Sequence, residues 1–96
     1  MIRIVKLSFK TNHVNDFKTF FELRKSLIRH VDGCTHLALW QDHDDASVFY
    51  TYSLWQAPEF LALYRQSDLF KETWAQVKLW FDKPPMAFSA DQILTL

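Results

Sequence analysis

The residues with the clearest chemical potential lie between positions 50 and 74, where large aromatic side chains recur. The candidates are Tyr50, Tyr52, Trp55, Tyr64, Phe70 and Trp74. Aromatic walls suit a flat aromatic ligand, and a tyrosine hydroxyl adds a polar group that can orient it. We therefore interpret these residues as candidate substrate-binding residues around an apolar cavity. The alternative is that they fill the core, as aromatic side chains at strand and helix spacing commonly do.

Two side chains near this stretch are catalytic candidates because they can move or share a proton. His36 carries an imidazole, which titrates close to neutral pH and can act as a base. Tyr64 carries a phenol that can hydrogen-bond to a substrate oxygen. A hydrogen-bonded structural role is the alternative for His36. Arg65 follows Tyr64 and could pair with an acidic ligand, or it could occupy an exposed helix position.

No metal or cofactor site is indicated by the sequence. The segment Asp42-His43-Asp44-Asp45 lacks the glycine and the distal glutamate of a calcium loop, which favours a solvated turn. A single glycine excludes glycine-rich phosphate loops and dinucleotide fingerprints. The lone Cys34 excludes an internal disulfide and a cysteine-rich metal site, and it is expected to be a small buried residue.

Length, charge and aromatic content restrict the class of protein. A chain of 96 residues predicts one domain, residues 1–96. The 11 basic and 11 acidic residues cancel, so no nucleic-acid or membrane partner is expected. No apolar run reaches a membrane span, and the first residues lack a signal-peptide layout, which predicts a cytoplasmic protein. Nine Phe, four Trp and three Tyr exceed what a small core can hide, which favours a ligand cavity or a subunit interface.

Hydrophobic periodicity predicts the elements that must position these residues. Strands are expected over 2–10, 34–41, 47–55 and 86–94. The first helix is expected to begin at an Asn12 N-cap and to end before Gly33, the single glycine. The second helix is expected to open at Pro58 and to break at Ser67, which caps a further helical piece.

The resulting order, β-α-β-β-α-β with a split second helix, predicts a ferredoxin-like α+β fold. Such a fold has a four-stranded antiparallel sheet with its helices on one face. The first strand has Ile2 and Ile4 on one side and Val5 and Leu7 on the other, so both faces are predicted to be buried. Because two helices cover only one face, the second face is predicted to pack on another copy in a two-fold homodimer. A monomer is the alternative.

In the order and spacing of these elements, the chain resembles the antibiotic biosynthesis monooxygenase (ABM) family. The resemblance covers nearly the whole chain. It lies in the opening strand, the helix that ends before Asp32-Gly33-Cys34, the strand that ends at Trp55, and the split helix around 64–74. It implies a dimeric α+β barrel. The activities that it implies are cofactor-free oxygenation of polyketide-like quinols and phenols, haem degradation, and quinol oxidation.

The haem-degrading branch of the family is similar around Trp55 and along Ser67–Lys71, but its functional positions differ here. The branch has a Trp nine residues after the strand-end Trp, where this chain has Tyr64. Its haem-ligating His falls at Trp74, and its Asn on the first strand falls at Val5. Trp cannot ligate iron, so the comparison disfavours haem degradation.

The monooxygenase branch matches better, since its strand-end Trp helps to hold an aromatic substrate and Trp55 stands at that position. That branch has an Asn about four residues before the strand-end Trp. Thr51 stands at this position here, with a shorter side chain that keeps a hydrogen-bond donor. The resemblance implies no cofactor, because an electron-rich phenolate can pass an electron to oxygen directly. The protein then supplies an apolar cavity, a hydrogen-bonding group and a modest base.

Three functions remain open at this point. One is a cofactor-free monooxygenase acting on an electron-rich aromatic small molecule, such as a quinol or a polyketide-like phenol. Another is a non-catalytic dimeric binding module for a hydrophobic metabolite. The third is an interaction domain whose aromatic side chains fill only the core and the subunit interface.

Overall fold

The computed structural model describes all residues from 1 to 96, which form four strands and three α-helices in the order β-α-β-β-α-α-β. The strands are β1 (Ile2–Ser8), β2 (Cys34–Gln41), β3 (Val48–Trp55) and β4 (Met86–Ala90). The helices are α1 (Val14–Arg29), α2 (Pro58–Gln66) and α3 (Asp68–Val77). Short 3-10 turns lie at Thr11–His13 and Lys78–Trp80. The predicted order of elements is confirmed, including the division of the second helical segment.

The four strands form one sheet in the order β2-β3-β1-β4, and every neighbouring pair is antiparallel. β1 and β3 are therefore the central strands, while β2 and β4 form the edges. The predicted fold class, a ferredoxin-like α+β fold with a four-stranded antiparallel sheet, is confirmed.

The helices pack on one face of this sheet through a cluster of buried side chains. Leu7 of β1 and Phe49 of β3 lie opposite each other in register and pack with Phe17 of α1 and Val77 of α3. The rings of Phe17 and Phe49 lie 5.1 Å apart between centroids. Full burial of one such side chain contributes about 1.5–3 kcal/mol, so the cluster anchors both helices to the sheet.

The beginning of α1 differs from the prediction. Asn12 is not the N-cap, because the chain first makes the 3-10 turn Thr11–His13 and places His13 at that position. No side chain caps the helix there; instead the imidazole Nδ1 of His13 lies 2.9 Å from the carboxylate of Asp16. β1 is also shorter than predicted, because Phe9 leaves the ladder and forms a single bridge with Phe81.

Gly33, between α1 and β2, confirms the prediction of a left-handed residue after the first helix. Its φ angle is +82°, a conformation that side-chain-bearing residues rarely adopt. A Cβ at this position would lie 2.2 Å from the ring of Phe60. The glycine therefore allows both the turn and the close approach of α2 to it.

The opposite face of the sheet has no helix against it. Ile4 lies on this face between Tyr52 of β3 and Phe88 of β4. The side chains of Trp40, Met86 and Phe88 are 45%, 52% and 52% exposed, respectively. We call this surface, formed by Ile4, Trp40, Tyr52, Met86 and Phe88, the outer face.

None of the helices combines the length and the apolar character that a membrane crossing needs.

Candidate functional site

A cavity of about 360 Å³ lies between the helix-covered face of the sheet and the three helices. β1 and β3 contribute Val5 and Trp55 to its wall, and α1, α2 and α3 contribute Phe21, Tyr64 and Trp74. Most lining side chains are apolar. Small-molecule sites typically enclose about 300–1,000 Å³ and have this kind of wall, so the cavity is a candidate ligand site.

Trp55 forms part of the wall at the end of β3 and is only 3% exposed. Its indole Nε1–H donates to Oγ of Ser53 at 2.9 Å, and Ser53 lies two residues earlier on the same strand face. The indole ring also stacks on Tyr64 of α2, with centroids 5.5 Å apart and planes 26° apart. The position of Trp55 is therefore set by both contacts.

A row of aromatic rings continues from Trp55 through the two halves of the split helix. Tyr64 meets Phe70 edge-to-face at 5.2 Å, and Phe70 stacks on Trp74 at 5.7 Å with planes 10° apart. All four side chains line the same cavity. The structure thus brings together Trp55, Tyr64, Phe70 and Trp74 of the predicted set, and we call them the aromatic row.

Ser67, between α2 and α3, connects two members of the aromatic row. Its Oγ accepts a hydrogen bond from the backbone N–H of Phe70 at 3.1 Å, which is the N-cap bond of α3. The same hydroxyl donates to the backbone carbonyl of Tyr64 at 2.6 Å. The predicted break and cap at Ser67 are confirmed, and one side chain fixes how the two helices meet.

The phenol of Tyr64 remains protonated across the neutral range. Burial raises the pKa of Tyr64 to about 12, with a smaller contribution from the neighbouring Cys34. Tyr64 can therefore donate a hydrogen bond inside the cavity but does not serve as a base. Burial also raises the pKa of the Cys34 thiol, which disfavours a reactive thiolate there.

Two threonine residues, Thr51 of β3 and Thr73 of α3, are polar members of the cavity wall. Oγ1 of Thr73 is buried and has no hydrogen-bond partner. An unpaired buried hydroxyl costs about 1–3 kcal/mol, so Thr73 is a site of local destabilisation beside the cavity.

The wall also contains two positive charges, Arg3 and Arg65, and no acidic residue. The guanidinium of Arg3 donates to Oγ of Ser89 at 3.0 Å, and neither arginine belongs to any of the ion pairs in the protein. Burial lowers the pKa of Arg3, and the like charge of Arg65 lowers it further. Arg65 occupies an exposed helix position, which is one of the two alternatives that its sequence position left open, and it also borders the cavity.

Three of the predicted residues lie away from this cavity. Tyr50 and Tyr52 point to the outer face because they are odd numbers of residues away from Trp55 in the same strand. Tyr52 stacks on Trp40 at 4.8 Å and meets the exposed His36 edge-to-face at 5.7 Å. The structure therefore separates His36, Tyr50 and Tyr52 from the aromatic row, and His36 is not placed to act as a base in the cavity.

Tyr50 instead takes part in the turn between β2 and β3. Its hydroxyl donates to the carboxylate of Asp42 at 2.8 Å, and the backbone N–H groups of Asp44 and Asp45 donate to the same carboxylate. These hydrogen bonds, led by that from Tyr50, hold the pKa of Asp42 below its usual value. The protein contains no group of three or more His, Cys, Asp or Glu side chains that could hold a metal ion.

Sequence reasoning misses Arg3 and Thr73 as cavity residues, although each has a local signal. Arg3 alternates with Val5 and Leu7 and so belongs to the helix-covered face, where an arginine stands out among apolar side chains. Thr73 follows Phe70 by three positions, which places both on one face of α3.

Comparison with known proteins places the chain in a family. The sequence model of the antibiotic biosynthesis monooxygenase family matches residues 1–76. The chain belongs to this family. The matched range of this ABM-family protein begins before β1 and extends into α3, so it includes the complete aromatic row. No curated protein matches the chain in sequence.

Solved structures confirm the fold at low sequence identity. A candidate antibiotic biosynthesis monooxygenase from Nitrosomonas europaea is 18% identical, with a TM-score of 0.88 over 97% of this chain and 98% of that one. A conserved protein from Methanosarcina mazei is 22% identical, with a TM-score of 0.84 over 91% and 87% of the two chains. A further candidate antibiotic biosynthesis monooxygenase, from Bordetella bronchiseptica, is 20% identical, with a TM-score of 0.86 over 97% and 96%.

Proposed function

We propose that this ABM-family protein is a cofactor-free monooxygenase that oxidises an electron-rich aromatic small molecule, a quinol or a polyketide-like phenol. The observation that carries the proposal is the aromatic row along the wall of the 360 Å³ cavity. Stacked rings of this kind bind a flat aromatic compound and keep bulk water away from it. The family membership supports the reaction class.

In the proposed reaction, the substrate supplies all the electrons. An ionised phenol transfers an electron to O2, and recombination forms a carbon–oxygen bond on the ring. For an anthrone-like phenol, a ring methylene group and O2 become a ring carbonyl group and one water molecule. The protein excludes water and holds the ring, while the neutral phenol of Tyr64 donates a hydrogen bond to a substrate oxygen.

The cavity wall favours ionisation of the substrate without a side-chain base. Its lining contains no His, Asp or Glu, and Tyr64 keeps its proton. The charges of Arg3 and Arg65 stabilise a phenolate and so lower the pKa of a bound phenol. In this proposal, water accepts the phenol proton as the substrate enters.

Haem degradation remains disfavoured. The position that holds the haem-ligating His in the haem-degrading branch is Trp74, and an indole does not ligate iron. Its ring is packed against Phe70 and Phe81, with centroid distances of 5.7 and 5.6 Å.

A non-catalytic binding module for a hydrophobic metabolite is the second candidate. The absence of a side-chain base from the cavity wall favours it, because stacking alone is enough for binding. The binding module would hold its ligand against the same aromatic row as the monooxygenase, but it would catalyse no reaction with O2.

We also propose that the chain forms a homodimer through the outer face and works in the cytoplasm. The half-exposed side chains of Trp40, Met86 and Phe88 support the dimer, since contiguous apolar side chains on a sheet face favour association. The buried free thiol of Cys34 supports a reducing compartment.

The experiment that tests the proposed function is oxygen uptake by chelator-treated protein with a panel of quinols and anthrone-like phenols, measured above autoxidation. We expect uptake that falls about 10-fold or more in Tyr64→Phe, because one hydrogen bond to developing charge is lost. We expect Trp55→Ala to weaken substrate binding.

The matched control is Tyr52→Phe, which removes the same hydroxyl from the outer face. It should leave the uptake unchanged. An aromatic ligand that binds saturably without oxygen uptake would replace the monooxygenase with the binding module. A rate that falls equally in Tyr52→Phe and Tyr64→Phe would contradict the location of the site.

A further inference from the structure

We propose that the cavity selects an anionic aromatic ligand, whose carboxylate or other anionic oxygen pairs with Arg3 and Arg65 while its ring lies against the aromatic row. The inference rests on the proposal that the cavity holds an aromatic ligand, and it adds the charge of that ligand. It is carried by the placement of two arginines in a wall that contains no acidic side chain.

Arg3 occupies an unusual position for a cation. It lies on the central strand β1 and belongs to the face that the helices cover, together with Val5 and Leu7. Across the sheet its register partners are Ser53 and Ser89, which are neutral. The guanidinium of Arg3 pairs with no acid, and its one side-chain partner is the hydroxyl of Ser89.

Arg65 brings a second unpaired charge to the same cavity. It follows Tyr64 on α2, and both side chains line the cavity. Arg65 is exposed, whereas Arg3 is half-buried. Their mutual repulsion acts on Arg3, whose pKa is lowered by burial and by Arg65.

An anion between the two guanidinium groups would offset both the repulsion between them and the free-energy cost of partly burying the charge of Arg3. The planar guanidinium fork matches a carboxylate in geometry, and such charge-assisted hydrogen bonds are stronger than neutral ones. Because Arg65 lines the same cavity as Trp55 and Tyr64, a ring bound against those two side chains can present an acidic substituent to its guanidinium. The expected substrate class is therefore an aromatic acid or an ionised phenol rather than a neutral hydrocarbon or ester.

The test compares two probes of nearly equal shape, 2-naphthoate and 2-naphthamide, by isothermal titration calorimetry at neutral pH and low salt. We expect the full-length protein to bind the acid about 10-fold more tightly than the amide. The preference should shrink toward equal affinity in Arg3→Gln and Arg65→Gln, and it should disappear in the double variant. Raising the salt to about 0.5 M should reduce the preference in the unmodified protein, because Arg65 is exposed.

Lys18→Gln is the matched control, since it removes one positive charge from an exposed position of α1 that does not line the cavity. It should keep the preference for the acid. Arg65→Gln changes an exposed side chain, so it tests the inference even if a change at Arg3 disturbs folding.

Two results would refute the charge selection alone and leave the cavity proposal standing. One is tight binding of both probes with equal affinity, and the other is a preference for the acid that survives in the double arginine variant. Failure of both probes to bind would refute the aromatic-ligand proposal and this inference together.

Discussion

Ser67→Ala is the change that most directly tests how the aromatic row is held together. The hydroxyl of Ser67 accepts from the N–H of Phe70 and donates to the carbonyl of Tyr64, so one substitution removes both bonds. The consequence should extend beyond stability, because Tyr64 and Phe70 both line the cavity.

The expected loss can be worked out from the two bonds. Replacing a serine N-cap with alanine costs about 1 kcal/mol, within a range of about 0.5–2 kcal/mol. The carbonyl of Tyr64 keeps a second bond from the backbone N–H of Ser67 at 3.0 Å, so losing the hydroxyl adds only about 0.5 kcal/mol there. We therefore expect the free energy of unfolding to fall by about 1–2 kcal/mol.

The assay is urea unfolding at one fixed protein concentration, combined with aromatic-ligand binding by tryptophan quenching. Ser67→Thr should restore both properties, because its hydroxyl can make the same two bonds. Ser67→Asp should cap α3 but cannot donate to the carbonyl of Tyr64, so it separates the two contributions. Ligand affinity should fall in the alanine variant and recover in the threonine variant.

An alanine variant with the unfolding midpoint and ligand affinity of the unmodified protein would refute the role assigned to Ser67. Loss of stability with unchanged affinity would show that the cap stabilises α3 without positioning Tyr64 and Phe70. A threonine variant as weak as the alanine variant would mean that the hydroxyl bonds are not the cause.

Further predictions concern the turn, the buried phenol and the outer face. Gly33→Ala should lower the free energy of unfolding by about 2–3 kcal/mol through its positive φ and the contact with Phe60, and an unchanged urea midpoint would contradict this. Burial raises the pKa of Tyr64 from 10.0 to about 12, so its stabilising contribution is complete below pH 10 and is lost as the pH rises through about 12. In urea titrations at rising pH, the free energy of unfolding should fall by up to about 2.7 kcal/mol, and this fall should be absent in Tyr64→Phe. The same dependence of the unfolding free energy on pH in both proteins would be contrary evidence. Phe88→Asp should convert the proposed homodimer to a monomer in sedimentation velocity, whereas a chain that is already monomeric would disprove the dimer.

Much of the fold could be predicted from local features of the sequence. The single glycine marks the end of the first helix because only Gly33 tolerates a φ of +82° beside Phe60. Ser67 marks the break between α2 and α3 because its hydroxyl can cap the following helix. Element boundaries were less predictable: Asn12 is a good cap by type, but the chain makes a 3-10 turn at that point.

The candidate site could be predicted only in part. Alternation divides β3 into two sets of residues, with Trp55 in one and Tyr50 and Tyr52 in the other. It does not say which set the helices cover, since both sets contain large aromatic side chains. That choice depends on where Phe17 and Leu61 dock, and docking is a long-range packing event.

The sequence by itself therefore determined the order of elements and the family, because these depend on type and spacing along the chain. It named Trp55, Tyr64, Phe70 and Trp74 only within a larger set that also contained Tyr50 and Tyr52. Only the tertiary structure decided that the cavity lies on the side of Trp55. It also brought Arg3 and Arg65, far apart in sequence, to one cavity that contains no acid. The physical reason is that charges and hydroxyls act through space, and folding sets their separations.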